Sequence, residues 1–227
     1  MANVLIVCEC SGAIREALRK RGHDVMSVDL KPAEDNSPAH HQGDALAYLS
    51  CYPDQGFDLI IMHPPCTRFS SSGQWYVQRN PAAKLEQDEA LAFTKELWAL
   101  AGRKSKRVVM ENPIGILSRP ENFGPAWQII QPHRFGDDAS KATCLWVWYP
   151  HGKFALPMLT PTNPVPPRLV VASNGKTYKR WANQTDSGQN KLGPSEARAT
   201  ERSRTYPGIA NAIADQWGPL LDGELTL

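Results

Sequence analysis

Asn3-Val4-Leu5-Ile6-Val7-Cys8 runs into Glu9-Cys10-Ser11-Gly12, then into Ala13 to Arg21, and Val25-Met26-Ser27-Val28-Asp29 follows. The first run is short, apolar and rich in β-branched residues, which predicts a buried strand. Cys10-Ser11-Gly12 reads as a turn, with Ser11 as the expected cap of the next helix. Ala13 to Arg21 then puts Ile14, Ala17 and Leu18 on one face and Arg15, Arg19 and Lys20 on the other, and Gly22 ends it. Val25–Val28 predicts a second strand with Asp29 at its tip. Strand, turn, helix and strand with a terminal acid make a βαβ opening, which fixes the class as α/β with a mostly parallel, doubly wound sheet.

Such an opening suits a nucleoside-containing ligand. The turn brings backbone N–H groups to the ligand, and an acid after the second strand can accept from ribose hydroxyls. Glu9-Cys10-Ser11-Gly12 has a single glycine, so close backbone approach to a pyrophosphate is disfavoured and a compact nucleoside such as S-adenosylmethionine fits better. Cys8, Cys10, Ser11 and Gly12 form the first part of that candidate site, and Asp29 the second.

At 227 residues, with 41% hydrophobic and 21% charged residues, the chain fits one soluble domain with a small appendage. No run is long enough to cross a bilayer, and the first residues lack the pattern of a signal peptide. The five cysteines include no Cys-x-x-Cys pair. Neither a disulfide framework nor a metal site is indicated, and a reducing, cytoplasmic setting is expected. Net charge is +2 but unevenly spread. Between 151 and 205, nine Lys/Arg stand against three Asp/Glu, leaving the remainder at −4. A basic carboxyl-terminal third on an acidic body suggests an anionic partner.

Lys31–His41 reads as a loop. Gln42-Gly43-Asp44-Ala45 opens a short helix through Leu49, where Asp44 serves as a cap or bonds an adenine amine. Asp58–Met62 is the next buried strand, running into His63-Pro64-Pro65-Cys66-Thr67-Arg68-Phe69-Ser70-Ser71-Ser72-Gly73. This places a thiol just past the carboxyl end of a strand, where open α/β sheets hold ligands. Gln74–Asn80 is polar but carries Trp75 and Tyr76, suited to stacking. Glu86 to Lys104 predicts a long helix, and Val108-Val109-Met110 a strand with Glu111-Asn112-Pro113 at its tip. Trp127 to Phe135 and Thr143 to Tyr149 read as paired strands. Five prolines fall between 157 and 167, and Lys176-Thr177-Tyr178-Lys179-Arg180-Trp181 interleaves cations with aromatics, which suits nucleic acid. Pro194–Arg204 reads as a charged helix and Ile209 to Trp217 as the last.

In this order the elements resemble the DNA (cytosine-5)-methyltransferase family, in a compact, phage-like form. Pro65-Cys66-x-x-Phe69-Ser70-x-x-Gly73 matches the family's nucleophile loop except that Thr67 replaces Gln. Glu111-Asn112-Pro113 matches its Glu-Asn-Val apart from Pro113. Gln131 and Arg134 are similar to a shortened Gln-x-Arg-x-Arg, whereas Tyr206-Pro207-Gly208-Ile209-Ala210 departs from the closing Gly-Asn pattern. The resemblance implies methyl transfer from S-adenosylmethionine to carbon 5 of cytosine in DNA, with the base flipped out of the duplex. It makes Cys66 the nucleophile at carbon 6, Glu111 the partner of ring nitrogen 3 and the exocyclic amine, and Arg134 the holder of the carbonyl oxygen. Asp29 would meet the ribose, Asp44 the adenine amine, and Pro65 would line the cofactor side. Arg68, Ser70, Lys176, Lys179 and Arg180 are the candidate DNA contacts. The division expected is a catalytic domain over 1–150, a recognition region over 151–204 and a completing helix within 205–227. Rival readings are methylation of an exocyclic amine, with His63-Pro64-Pro65-Cys66 as a variant Asp-Pro-Pro-Tyr loop, a free cytosine nucleotide or RNA as substrate, and a binding protein without turnover.

Overall fold

β1 (Asn3–Val7) alternates its side chains between two cores: Val4 and Ile6 pack on one face of the sheet, Leu5 and Val7 on the other. The computed structural model, which describes residues 1–148, 156–193 and 198–221, continues that alternation through β4 (Leu59–Met62) and β5 (Val108–Pro113). Leu59, Ile61 and Val109 share the first core, and Ile60, Met62, Val108 and Met110 the second. A strand buried on both faces needs apolar residues at every position, which is what these runs supply.

With β2 (Asp24–Asp29), β3 (His40–Gln42), β6 (Gln128–Ile130) and β7 (Thr143–Val147), the sheet has seven strands in the order β3-β2-β1-β4-β5-β7-β6. Pairs β1–β2, β2–β3, β1–β4 and β4–β5 are parallel, while β7 runs antiparallel to both β5 and β6. This is the doubly wound, Rossmann-like, mostly parallel sheet that the sequence led us to expect. Strand order reverses between β1 and β4, so the crevice at their carboxyl ends is the switch point. Cys8 and His63 both leave the sheet there, and the His63 N–H donates to the Val7 carbonyl at 2.8 Å.

α1 (Ala13–Arg19) and α6 (Pro207–Gln216) cover one face, and α2 (Ala45–Ser50) and α4 (Pro81–Lys104) border the other core. α4 starts five residues earlier than the apolar stripe suggests. Asn80 accepts from the N–H groups of Ala82 and Ala83, and Pro81 sits at the first helical position, where its missing N–H costs nothing. α3 (Gln74–Arg79) fills the polar stretch before it. Trp127 to Phe135 is not one strand. β6 stops at Ile130 because Pro132 cannot donate to a ladder, and a 3-10 turn over Pro132–Arg134 follows. β7 ends at Val147, and Tyr149 lies outside the described residues, as do 194–197 of the expected charged helix. The described part of that helix is α5 (Arg198–Ser203).

Two local expectations are overturned. Arg15 is not on an outward face but fully buried, with Nη1 donating to Ser27 Oγ at 2.6 Å, Nε to Glu16 at 3.1 Å and Nη2 to Asp35. A guanidinium is tolerated there because its fork of donors is answered by oxygens. Ser11 stands one residue before the cap position of α1, although its Oγ accepts from the Ala13 N–H at 3.3 Å. The residue before the helix is Gly12, at φ +75°, and the carboxylate of buried Glu9 accepts from the Gly12 N–H at 3.1 Å and from Ser11 Oγ. An entering pyrophosphate would meet that carboxylate.

Trp217, fully buried behind α6, donates its indole N–H to the Pro157 carbonyl at 2.8 Å and packs in the same core as Leu18 and Leu221. Trp217→Ala should lower unfolding stability by about 3–5 kcal/mol in urea titration. Trp217→Phe, which keeps most of the volume, should lose far less.

Candidate functional site

Cys66 is held by hydrogen bonds on both sides of its loop. Asn112, wholly buried, donates from Nδ2 to the Pro64 carbonyl at 3.0 Å. Beyond the cysteine, Phe69 is fully buried and its carbonyl accepts from the Ile116 N–H at 3.0 Å, while the Ser71 N–H donates to the Ile114 carbonyl at 3.0 Å. The Phe69 N–H closes a turn on the Cys66 carbonyl at 3.0 Å. Gln87 and Gln74 reach in from α4 and α3 to the Arg68 carbonyl at 2.6 and 2.9 Å. Gly115 lies so close to Phe69 that any Cβ there would collide with the Phe69 carbonyl. The thiol therefore rides on a loop fixed to the end of β5, and Glu111 is on that same strand.

Glu111 belongs to β5, opposite Leu145 of β7, and the strand continues through Pro113. Its Oε2 lies 3.1 Å from His63 Nδ1, and the two side chains are 19% and 10% exposed. Burial opposes ionisation of Glu111. The His63 hydrogen bond, the Lys141 charge and the Thr143 hydroxyl outweigh it and hold the carboxyl below its usual value. Cys66 goes the other way: burial, then the Glu111 charge, push the thiol up, while Lys141 and Arg202 pull it down. Cys66 and Glu111 are thus close enough to act on each other, and the Lys141 charge acts on both.

Lys141 is the residue that sequence reading missed. It stands between β6 and β7, two residues before Thr143, with its N–H donating to Gln131 Oε1 at 3.0 Å. A lone lysine in a Ser-Lys-Ala loop carries no pattern, and only the antiparallel return of β7 beside β5 brings it to Glu111. Arg134 is exposed on the 3-10 turn of the same connection. The charge it acts on is that of His133, and the cations that weigh on Cys66 are Lys141 and Arg202.

On the cofactor side, Cys8 (φ +59°) follows β1, Asp29 ends β2 and Asp44 follows β3. Burial, with the charges of Asp29 and then Asp44, pushes the Cys8 thiol up to about 12, so all three groups converge. Cys10 is raised as well, by burial and then by Asp29 and Glu34. Both thiols are thereby held towards the neutral form. Asp44 caps α2, with Oδ1 accepting from the Ala47 N–H at 2.7 Å, which leaves its second oxygen for a ligand amine. Asp29 Oδ1 accepts from the Lys31 N–H at 2.9 Å. Two carboxylates at neighbouring strand ends, one beyond each of β2 and β3, fit a ribose and an adenine amine. A groove of about 450 Å³ between α2 and α4, lined by Leu46, Glu96 and Arg103 among others, holds none of these residues. Volume does not mark this site.

The other candidates lie on exposed ground. Pro65 is exposed, and Arg68 and Ser70 are half-buried, with Arg68 paired to Glu86 at 2.7 Å. Lys176 is in the turn between β8 (Arg168–Val171) and β9 (Thr177–Arg180), which form a separate hairpin carrying Lys179 and Arg180. Lys176 and Lys179 are exposed, and Arg180 lies 5.0 Å from the Tyr178 ring. Trp181 stacks on His133 at 3.9 Å, and Asn183 exchanges hydrogen bonds with the backbone of Ser140 at 2.9 and 3.0 Å. The hairpin is thereby fastened to the connection that carries Lys141. Among the described residues no group of His, Cys, Asp and Glu is arranged to hold a metal ion, and no helix is long and apolar enough to cross a membrane.

No family model matches the chain, and no curated protein does. Among solved structures it is similar to one named for a prophage-encoded DNA modification methyltransferase of E. coli, with 17% identity and a TM-score of 0.44, over 65% of this chain and 46% of that one. It is also similar to the Entamoeba histolytica methyltransferase EhMeth, with 12% identity and a TM-score of 0.43, over 73% and 58% of the two chains. A mutant of Spodoptera frugiperda DNMT2 aligns with 17% identity and a TM-score of 0.37, over 65% and 49%. The chain spans about half the length of these structures.

The opposed charges on Cys66 can be measured. Glu111→Gln removes the anion that raises the thiol, so alkylation of Cys66 at neutral pH, followed by peptide mass spectrometry, should speed up. Lys141→Met should slow it, because the thiolate fraction falls. Equal rates in both variants would mean that neither charge reaches the sulfur.

Proposed function

We propose that this chain is an S-adenosylmethionine-dependent methyltransferase acting on carbon 5 of cytosine in DNA. The observation that carries the reading is the placing of Cys66 beside Glu111 at adjoining strand ends, on a loop bonded to β5. Cytosine is a poor nucleophile at carbon 5, and addition of a thiolate at carbon 6 turns it into an enamine. Cys66 makes that bond. Glu111 faces nitrogen 3 and the exocyclic amine and takes part in proton transfer as the ring accepts charge. Lys141 lowers the cost of forming the thiolate, and with Arg134 on the same connection it offers a cation to the carbonyl oxygen. Asp29 and Asp44 hold the ribose and the adenine amine, with Cys8, Cys10, Ser11, Gly12 and Pro65 around them. S-adenosylmethionine, when bound, supplies the electrophilic methyl group.

For a base to reach Cys66 it must leave the duplex. Arg68 and Ser70 flank the thiol. On α3, Trp75 is 66% and Tyr76 47% exposed, with Arg79 and Arg68 over their rings at 4.5 and 5.4 Å, a surface on which unstacked bases can lie. The β8–β9 hairpin is the phosphate-facing part of the recognition region over 151–204. The catalytic domain over 1–150 is completed by α6 within 205–227. The chain acts in the cytoplasm of a bacterial or phage-infected cell.

Incubation with S-adenosylmethionine and DNA containing 5-fluorocytosine tests the reaction. Fluorine blocks the last elimination, so a cofactor-dependent covalent adduct should form on a denaturing gel and vanish in Cys66→Ala. Cofactor binding without an adduct would sink the cytosine-5 reading in favour of amine methylation or a free nucleotide. For the hairpin, the double variant Lys176→Ser, Lys179→Ser should bind duplex DNA more weakly at every sequence. Its log affinity against log salt should be shallower by about 2, close to 0.9 per lost phosphate contact.

A further inference from the structure

His63 is the residue of the nucleophile loop that the reaction described so far leaves unused. Its side chain is nine-tenths buried, Nδ1 lies 3.1 Å from Glu111 Oε2, and Nε2 has no hydrogen-bond partner. It lines, with Glu111, Lys141, Thr143 and Tyr206, a cavity of about 20 Å³, room for one water. An imidazole kept in such a place, against a carboxylate, is more than a filler: an apolar side chain of the same size would leave Glu111 short of a partner.

We propose that His63 stores the proton that Glu111 passes to nitrogen 3 of the base. This rests on the reading of Glu111 as the partner of cytosine. Glu111 is held below the usual carboxyl value by His63, Lys141 and Thr143 despite its burial, so at neutral pH it arrives ionised and has no proton of its own to give. Among its neighbours, the Thr143 hydroxyl does not titrate near neutrality, and Lys141 acts on it through charge. Only His63 combines a direct hydrogen bond to Glu111 with a ring that has a place for a second proton.

The groups facing the pair are Lys141 and Thr143 from the strand side, Tyr206 from the start of α6, and Cys66 on the same loop, with Arg202 of α5 acting on the thiol. As the Cys66 sulfur bonds to carbon 6, the displaced ring electrons are taken up at nitrogen 3, which accepts a proton through Glu111. That proton leaves Nδ1 of the His63 imidazolium, crosses Oε2 of Glu111 and leaves a neutral imidazole behind. After transfer, a water removes the carbon-5 proton, the carbon–sulfur electrons return to Cys66, and nitrogen 3 gives its proton back through Glu111 to His63. His63 never touches the base. It is a positioning residue acting through Glu111.

His63→Asn separates proton storage from simple orientation, because the amide N–H takes the place of Nδ1–H but does not titrate. Single-turnover methyl transfer into cytosine-containing duplex DNA should fall by about 100-fold at neutral pH. The residual rate should climb towards acid pH, since Glu111 must then collect its own proton from solvent, whereas the wild-type rate should depend less steeply on pH. Binding of S-adenosylmethionine and DNA should be unchanged. Added imidazole should restore His63→Ala and leave His63→Asn slow, a readout that a purely structural role would not move and that also serves if His63→Asn is unstable. A His63→Asn enzyme with the wild-type pH profile, at whatever rate, would overturn the proposal. A wild type that never methylates cytosine would overturn the cytosine reading itself, and the role of His63 with it.

Discussion

The bond from Asn112 Nδ2 to the Pro64 carbonyl joins two strand ends that a parallel sheet leaves independent. β4 and β5 run side by side, but their ladder covers only Ile60 to Met62 against Val108 to Met110. Past those residues each chain is free to diverge. Two prolines remove the N–H groups that a continuing ladder would need, so a side-chain amide takes over from the backbone. Because Asn112 is fully buried, losing this bond would strand a polar group in the interior, which makes the connection expensive to break. Everything that Cys66 can do depends on it. The sulfur keeps a fixed place relative to Glu111 only while the loop after β4 and the end of β5 move as one body.

The same enclosure sets the electrostatics. A half-buried thiol next to a carboxylate is a reluctant thiolate, and one that ionised freely would be more open to oxidation. Lys141 and Arg202 work against that reluctance from segments far apart in sequence. Lys141 Nζ donates to the Arg204 carbonyl at 3.4 Å, and Arg204 pairs with Glu34 at 2.8 Å. The Glu34 N–H in turn donates to the Cys10 carbonyl at 2.9 Å. One line of contacts therefore runs from the cation beside Cys66, through the segment after α5, to the turn at the cofactor side.

The parts of this arrangement legible in the sequence are those whose chemistry is local. Apolar runs at Asn3–Val7 and Leu59–Met62 announce buried strands, Pro64-Pro65 announces their end, and Glu111-Asn112 announces polar groups at a strand tip. β3 gives no such signal, because His40-His41-Gln42 is a half-exposed edge that needs no apolar residues. Arg15 defeats the helical pattern because a guanidinium can be buried wherever oxygens from other segments meet it, and Ser27 and Asp35 lie 12 and 20 residues away. Lys141 is silent for the same reason. Its role comes from the reversal of β7, a fact of topology that no residue near position 141 encodes.

Size also constrains how the β8–β9 hairpin is held. The hairpin β8–β9 is two strands of four residues each, too short to be stable on its own. It borrows rigidity from the body through the Trp181–His133 stack, the paired Asn183–Ser140 bonds and the Ala182 N–H to Asp138 at 2.9 Å. All three anchors sit on the connection between β6 and β7 that also carries Lys141. A load on the hairpin is then delivered next to Glu111 and Cys66, not to a remote surface. A separate recognition domain could bind without disturbing the chemistry. Here the anchors of the hairpin and the Lys141 charge beside Cys66 share one short stretch of chain.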